Sequence, residues 1–258
     1  RLRPMLLSAW IWTAIALLIL LWYPLLWIVS LTDRDPVRYR TGRWFRRLGV
    51  AMTKVNPLWN VELSGGPVAD PRNPYVVVSN HQSSADIPII SHLPWEMKWV
   101  AKTELFRVPL VGGMLRLAGD IEVNRADRRS GARMIVTAER YLKGRCSVMV
   151  FPEGTRSMDG RVGSFSDGAF HLAVRAGVPV LPLAVDGSRS CLPKRSWFFG
   201  KPSTIRVRIL PQVETAGLGA ADIPALRERV RSLIIAQVAA WRSCPVEEVD
   251  ALRNQPAG

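Results

Sequence analysis

The chain has 258 residues, 48% hydrophobic and 22% charged, enough for one large folded domain or two small ones and incompatible with a disordered or fibrous chain. Lys and Arg number 35 against 21 Asp and Glu, a net charge of +14, and 29 of the basic residues are Arg, whose planar fork suits phosphate. An anionic partner is therefore expected, whereas the three scattered cysteines, Cys146, Cys191 and Cys244, lack any CxxC or metal-ligand spacing, which argues against disulfides and a metal site.

Met5 to Leu31 is 27 residues without a charge, longer than the roughly 20 that cross a bilayer core. No small-x-small cleavage site follows, so the segment is expected to stay attached. Trp10, Trp12, Trp22, Tyr23 and Trp27 are spread through it and Pro24 interrupts its second half, a pattern that suits a straight span or a bent interfacial hairpin equally. Arg34, Arg38, Arg40, Arg43, Arg46 and Arg47 then alternate with Val37, Trp44, Leu48, Ala51, Met52 and Val55 at helical spacing. The spacing predicts a basic amphipathic helix on the membrane surface, each Arg contributing about 1 kcal/mol against anionic lipid. Residues 1–57 are thus expected to form a membrane anchor.

From Leu58 onward, short runs rich in Val and Ile alternate with longer helical stretches, the pattern of an α/β layered domain over residues 58–244. Strands are predicted at Trp59–Leu63, Tyr75–Ser79, Lys98–Ala101, Ile121–Val123, Ser147–Phe151, Val180–Val185 and Ile205–Leu210, and helices at Gly131–Lys143, Gly168–Ala176 and Ile223–Trp241. Asp167 and Asp222 are positioned as N-caps, and Gly144 and Gly177 stand where a helix stop favours a left-handed residue. Residues 245–258 read as a flexible polar tail.

There is no GxSxG elbow, no GxxxxGK[ST] loop and no HExxH. What remains is Asn80-His81-Gln82-Ser83-Ser84-Ala85-Asp86, directly after Val76-Val77-Val78, where ligands of open α/β sheets collect. On a regular helix five residues turn about 500°, so Asp86 meets His81 only if the turn folds back. Folded back, Asp86 accepts the imidazole N–H and the other ring nitrogen takes a proton from an alcohol. The same seven residues also suit a capped helix start with a structural histidine. A second constellation, Phe151-Pro152-Glu153-Gly154-Thr155-Arg156, follows Val148-Met149-Val150 and reads as a turn that holds an anion, with Arg156 able to grip phosphate through two oxygens. Gly119 to Arg125 and Val178-Pro179-Val180-Leu181-Pro182 are two further strand-and-turn pieces.

In this order and at these separations, the NHxSxxD turn, the G-x-I-x-V-x-R segment, the FPEGTRS turn and the V-P-V-L-P strand resemble the four blocks of the glycerolipid acyltransferase family, the 1-acylglycerol-3-phosphate acyltransferases. The resemblance covers roughly Tyr75 to Val185, and the N-terminal segment is similar to that of bacterial members. It implies a layered mixed sheet flanked by helices, behind an N-terminal membrane-associated helical segment. It also implies transfer of a fatty acyl group from acyl-CoA or acyl carrier protein, with no further cofactor, to the free hydroxyl of a lysophospholipid. By match of the blocks, His81 is the general base and Asp86 its orienting partner. Lys102, Arg125 and Arg156 would hold the acceptor phosphate, Glu153, Gly154 and Thr155 would line the acceptor site, and the Val178–Leu183 strand would help build a pocket. The implied partners are membrane lipids, the lysophospholipid and the thioester donor, with no nucleic acid. The implied location is the cell membrane, with the site on its cytoplasmic face behind a monotopic or single-span anchor.

Asp120, Glu122 and the pair Ser166-Asp167 depart from the usual pattern near the implied phosphate, so an acceptor bearing an amine, a lyso-aminolipid, is the alternative substrate. A catalytically silent membrane adaptor is the alternative of a different class.

Overall fold

The computed structural model describes residues 2–66, 68–124, 126–192 and 196–252. In chain order the elements are α1 (Leu2–Thr32), α2 (Tyr39–Lys54), β1 (Trp59–Gly65), β2 (Val76–Ser79), α3 (Asp86–Ile90), β3 (Met97–Lys102), α4 (Thr103–Phe106), α5 (Val111–Ala118), β4 (Ile121–Val123), α6 (Arg128–Lys143), β5 (Ser147–Val150), α7 (Gly168–Ala176), β6 (Val180–Asp186), α8 (Ser188–Cys191), β7 (Ser203–Ile209), α9 (Ile223–Arg242) and α10 (Val246–Val249). They divide into two compact units, one of Arg1–Asn56, Ala69–Tyr75 and Ile87–Met149, the other of Pro57–Val68, Val76–Asp86 and Val150–Gly258.

The first unit holds three parallel strands in the order β5-β3-β4. Helix α1 runs unbroken through Pro24. Its Leu18, Ile19, Trp22, Tyr23 and Leu26 recur at helical spacing and pack with Leu48 of α2 and Met114 of α5. The Trp22 indole N–H donates to the Trp44 carbonyl at 2.9 Å. The fit is close, since a Cβ added at Gly113 would lie 2.7 Å from the Tyr23 ring. Residues 1–56 are therefore part of the first unit rather than a separate anchor domain. On α1, Leu17, Leu20, Leu21, Ile28 and Leu31 remain exposed. Pro4–Thr32, which contains an 18-residue window with a mean hydropathy of 2.4, is the one helix among the described residues long and apolar enough to cross a membrane.

The expected basic helix begins only at Tyr39, leaving Arg34 before it and Arg38 at its N-cap. Its arginines do not form one outward face. Arg46 is buried against Asp120, and Arg43, three residues earlier and on the same side, donates to the Leu93 and Trp95 carbonyls at 2.8 and 3.1 Å. The buried Asp120 and the Leu93 and Trp95 carbonyls draw these two guanidinium groups inward.

The second unit holds four strands in the order β1-β7-β6-β2. β1 runs parallel to β7 and β2 parallel to β6, while β6 and β7 are antiparallel, so the sheet is mixed. β7 shows the predicted alternation, with Ile205 and Val207 buried and Thr204 and Arg208 exposed. α9 packs Ile223, Leu226, Val230, Ile234 and Val238 at helical spacing against this sheet. The loose tail expected from residue 245 does not begin there. Val246–Val249 is helical, Val249 is fully buried, and Asp250 pairs with the buried Arg231 of α9.

Two terminus details depart from expectation. Asp167 and Asp222 sit at N-cap positions without capping, because Asp167 pairs with Arg227 at 2.7 Å and Asp222 accepts from the Gly219 N–H at 2.8 Å. Gly177 stops α7 in the left-handed region as expected, but after α6 that conformation falls on Arg145 rather than Gly144.

Candidate active site

β2 is buried along its whole length and delivers Asn80 and His81 at its carboxyl end. The Asn80 amide behaves as one more rung of the sheet, donating to the Val185 carbonyl at 2.8 Å and accepting from the Val185 N–H at 2.9 Å. The chain then reverses. Ser83 Oγ accepts from the Ala85 N–H at 3.2 Å and donates to the Leu192 carbonyl at 2.9 Å, and α3 starts at Asp86.

The reversal closes the five-residue gap. Asp86 Oδ2 lies 2.7 Å from His81 Nδ1 and also accepts the N–H groups of Gln82 and Ser83 at 2.8 and 3.0 Å. Asp86 is fully buried and the His81 side chain is 15% exposed, so the carboxylate is fixed and the imidazole reachable. With Nδ1–H directed at the carboxylate, Nε2 is the basic nitrogen. Asp86 Oδ1 is buried with no hydrogen-bond partner among the described residues.

The second constellation folds against this turn. The Phe151 ring stacks on the His81 imidazole, with centroids 4.0 Å apart and planes 16° apart. Glu153 Oε1 accepts the His81 N–H at 2.7 Å and Oε2 accepts the Gly163 N–H at 2.9 Å. Burial pushes the Glu153 carboxyl up to about 7, against the lowering effect of those two N–H donors. Both oxygens thus serve the main chain, which makes Glu153 a brace for the His81 turn where the resemblance implied a residue lining the acceptor site. Gly154 has φ 71° and its N–H closes on the Phe151 carbonyl at 3.0 Å, a conformation that favours glycine. Thr155 is exposed, and Arg156 Nη1 donates to Ser84 Oγ at 2.8 Å.

His81, Asp86, Glu153, Gly154, Thr155 and Arg156 are therefore gathered in the second unit. Lys102 is exposed at the end of β3 in the first unit, and Arg125 lies outside the described residues. In the first unit Thr103, Glu122, Asn124, Asp127 and Arg133 help line an open cavity of about 470 Å³. The Val180–Val185 stretch is buried throughout, and its Val185 anchors Asn80. The sequence alone assigns no separate role to Phe151 or to Ser84. The aromatic residue opening the FPEGTR turn was the available signal for the first.

Residues 60–186 match the Acyltransferase family model. The chain is 41% identical over 175 residues to 1-acyl-sn-glycerol-3-phosphate acyltransferase alpha of Mus musculus, covering 66% of this chain and 61% of that protein. It is 34% identical over 178 residues to the chloroplastic 1-acyl-sn-glycerol-3-phosphate acyltransferase LPAT1 of Arabidopsis thaliana, covering 68% of this chain and 49% of that protein. The chain thus spans less than two thirds of the length of these relatives. The crystal structure of the 1-acyl-sn-glycerophosphate acyltransferase PlsC from Thermotoga maritima superposes with a TM-score of 0.78 at 27% identity, covering 94% of this chain and 97% of that one. The mixed α/β fold and these matches make the chain similar to members of the Acyltransferase family over residues 60–186.

Proposed function

We propose that this protein is a membrane-attached acyltransferase that moves a fatty acyl group from an acyl thioester, acyl-CoA or acyl carrier protein, to the free hydroxyl of 1-acylglycerol-3-phosphate, giving phosphatidic acid. The observation that carries the reading is the 2.7 Å contact between His81 Nδ1 and a buried Asp86 carboxylate. His81 Nε2 takes the proton of the acceptor hydroxyl as its oxygen bonds to the thioester carbonyl carbon. The tetrahedral intermediate collapses with cleavage of the C–S bond, and the departing thiolate takes the proton back from Nε2.

Direct attack within a ternary complex is favoured over an acyl-enzyme. Ser83 Oγ is bound to the Leu192 carbonyl and Ser84 Oγ receives Arg156. Burial pushes the thiols of Cys146 and Cys191 up to about 12 and about 11, leaving neither as a thiolate near neutral pH.

Arg156 is the group in the second unit suited to hold the acceptor phosphate, with Lys102 and Arg125 carried as further phosphate ligands by resemblance to the family blocks. The amine-acceptor alternative loses support because Asp120 is committed to Arg46 and Asp167 to Arg227. α1, with its exposed apolar face, is the membrane attachment, as a single span or within one leaflet, and the donor pool sets the site on the cytoplasmic side.

A mass-spectrometric screen of the purified full chain with one acyl thioester and a panel of lyso-lipids tests the reading. Phosphatidic acid from 1-acylglycerol-3-phosphate is the expected product. Acylation of an amine-bearing lyso-lipid alone would overturn the acceptor assignment, and no acylated product from any acceptor would overturn the activity.

A further inference from the structure

Arg231 is a charged side chain at 1% exposure, and its hydrogen bonds lead toward the candidate active site. Its Nε donates to the Gly163 carbonyl at 2.7 Å and its Nη2 to the Val162 carbonyl at 3.0 Å. Asp250 pairs with the same guanidinium group. The segment carrying Asp250 holds the same loop from its other side, with the Val162 N–H donating to the Val249 carbonyl at 2.8 Å and the Ala251 N–H to the Val162 carbonyl at 3.2 Å. Gly163 in turn donates its N–H to Glu153 Oε2, and Glu153 Oε1 accepts the His81 N–H. A Cβ at Gly163 would lie 3.1 Å from Glu153 Oε2, so loop and carboxylate are in close register.

We propose that Arg231 and Asp250 are positioning residues that hold His81 in place through the 162–163 loop and Glu153, which makes the C-terminal segment 246–252 a strut of the active site. The proposal rests on His81 acting as the general base. A planar guanidinium group bonded to two successive carbonyls fixes both the position and the tilt of that loop, which a point charge does not. The loop's next N–H then places a carboxylate whose other oxygen sets the backbone of the base. A displacement of about 1 Å at a reacting group costs on the order of 100-fold in rate, so slack anywhere along this chain of bonds is felt in the chemical step rather than in binding.

Asp250→Asn keeps the shape and removes the charge, and Gly163→Ala displaces the loop without touching the ion pair, so the test survives if either variant fails to fold. Two readouts are taken well below each variant's Tm. In hydrogen–deuterium exchange, the peptide covering residues 80–86 should exchange faster in both variants while β7 stays as protected as in the parent. In steady-state kinetics with acyl-CoA and 1-acylglycerol-3-phosphate, kcat should fall about 10- to 100-fold with both KM values within about twofold. Glu228→Gln, which removes the half-exposed partner of Arg231 and leaves Asp250 in place, should change neither readout. Unchanged exchange at residues 80–86, or faster exchange with unchanged kcat, would overturn the proposal. Faster exchange in a protein whose parent transfers no acyl group would support the mechanical link and overturn the proposed activity instead.

Discussion

Arg46 Nη2 sits 2.5 Å from Asp120 Oδ1 with both side chains buried. The same Asp120 oxygen accepts the Trp99 N–H at 2.9 Å, and Arg46 Nε faces Glu96 Oε2 at 3.6 Å. The other Glu96 oxygen lies 3.0 Å from Lys98 Nζ, which also donates to the Arg38 and Ala118 carbonyls. Two acids and two bases thus balance inside the first unit and tie α2 to β3 and the start of β4. Removing one partner of a buried pair leaves an uncompensated charge at a cost of about 3–5 kcal/mol. Asp120→Ala should therefore lower Tm by roughly 10 °C, as read by calorimetry, while the acceptor head-group preference stays that of the parent. An unchanged Tm with an altered head-group preference would return Asp120 to the acceptor site.

α1 has two jobs that separate by face. Deleting residues 1–31 uncovers Leu48 and Met114, so Tm and activity should fall on a water-soluble short-chain acceptor as well as on one embedded in vesicles. Leu21→Gln with Ile28→Gln alters exposed positions and should reduce activity on vesicles while sparing the soluble acceptor. Parallel assays on the two acceptors, with vesicle co-sedimentation, check both. Full soluble activity in the deletion would mean that α1 contributes nothing to the fold.

All seven strands among the described residues and the three predicted helices of the α/β region were legible, because Val and Ile runs and 3.6-residue stripes such as Ile223 to Val238 report burial directly. The His81–Asp86 turn was legible as a spacing whose fold-back the sequence demanded but did not display. The inward turn of Arg43 and Arg46 was not legible, since an arginine facing lipid and one facing a buried carboxylate or carbonyl much later in the chain carry the same local pattern. Val249 and Asp250 were hidden for the same reason: their partners, the 162–163 loop and Arg231, are distant in sequence. The short helices α3, α4, α8 and α10, of four or five residues, offer too few turns for a periodic signal.

Glu153 makes stability depend on pH in a specific direction. Its folded-state pKa, pushed up to about 7 by burial, exceeds the ordinary 4.5, so the folded protein holds a proton that the unfolded chain releases. Stability is then lost as pH rises from about 4.5 toward 7. Unfolding free energies of the parent minus those of Glu153→Gln should fall across that window by up to about 3 kcal/mol, other groups cancelling in the difference. A difference that is flat with pH, measured by denaturant titration, would contradict the buried, proton-holding carboxyl.

Arg156 tests what the turn at residues 151–156 grips. Charged hydrogen bonds are worth about 1.5–3 kcal/mol, so Arg156→Ala should raise the acceptor KM, lower kcat/KM, or both, by roughly 10- to 150-fold, with Arg156→Lys in between. The donor KM should move little. Varying each substrate at saturation of the other decides the matter, and a rise in the donor KM alone would assign Arg156 to the thioester carrier.

The most direct measurement is the rate of phosphatidic acid formation by purified parent, His81→Ala and Asp86→Asn proteins, each shown folded by circular dichroism. Loss of a general base is worth about 10²- to 10⁴-fold, and Asp86→Asn should approach that loss by presenting the wrong imidazole tautomer. His81→Ala at or below one hundredth of the parent rate, with unchanged vesicle binding, is the predicted result. A His81→Ala protein that keeps most of the parent rate would contradict base catalysis by the His81–Asp86 pair.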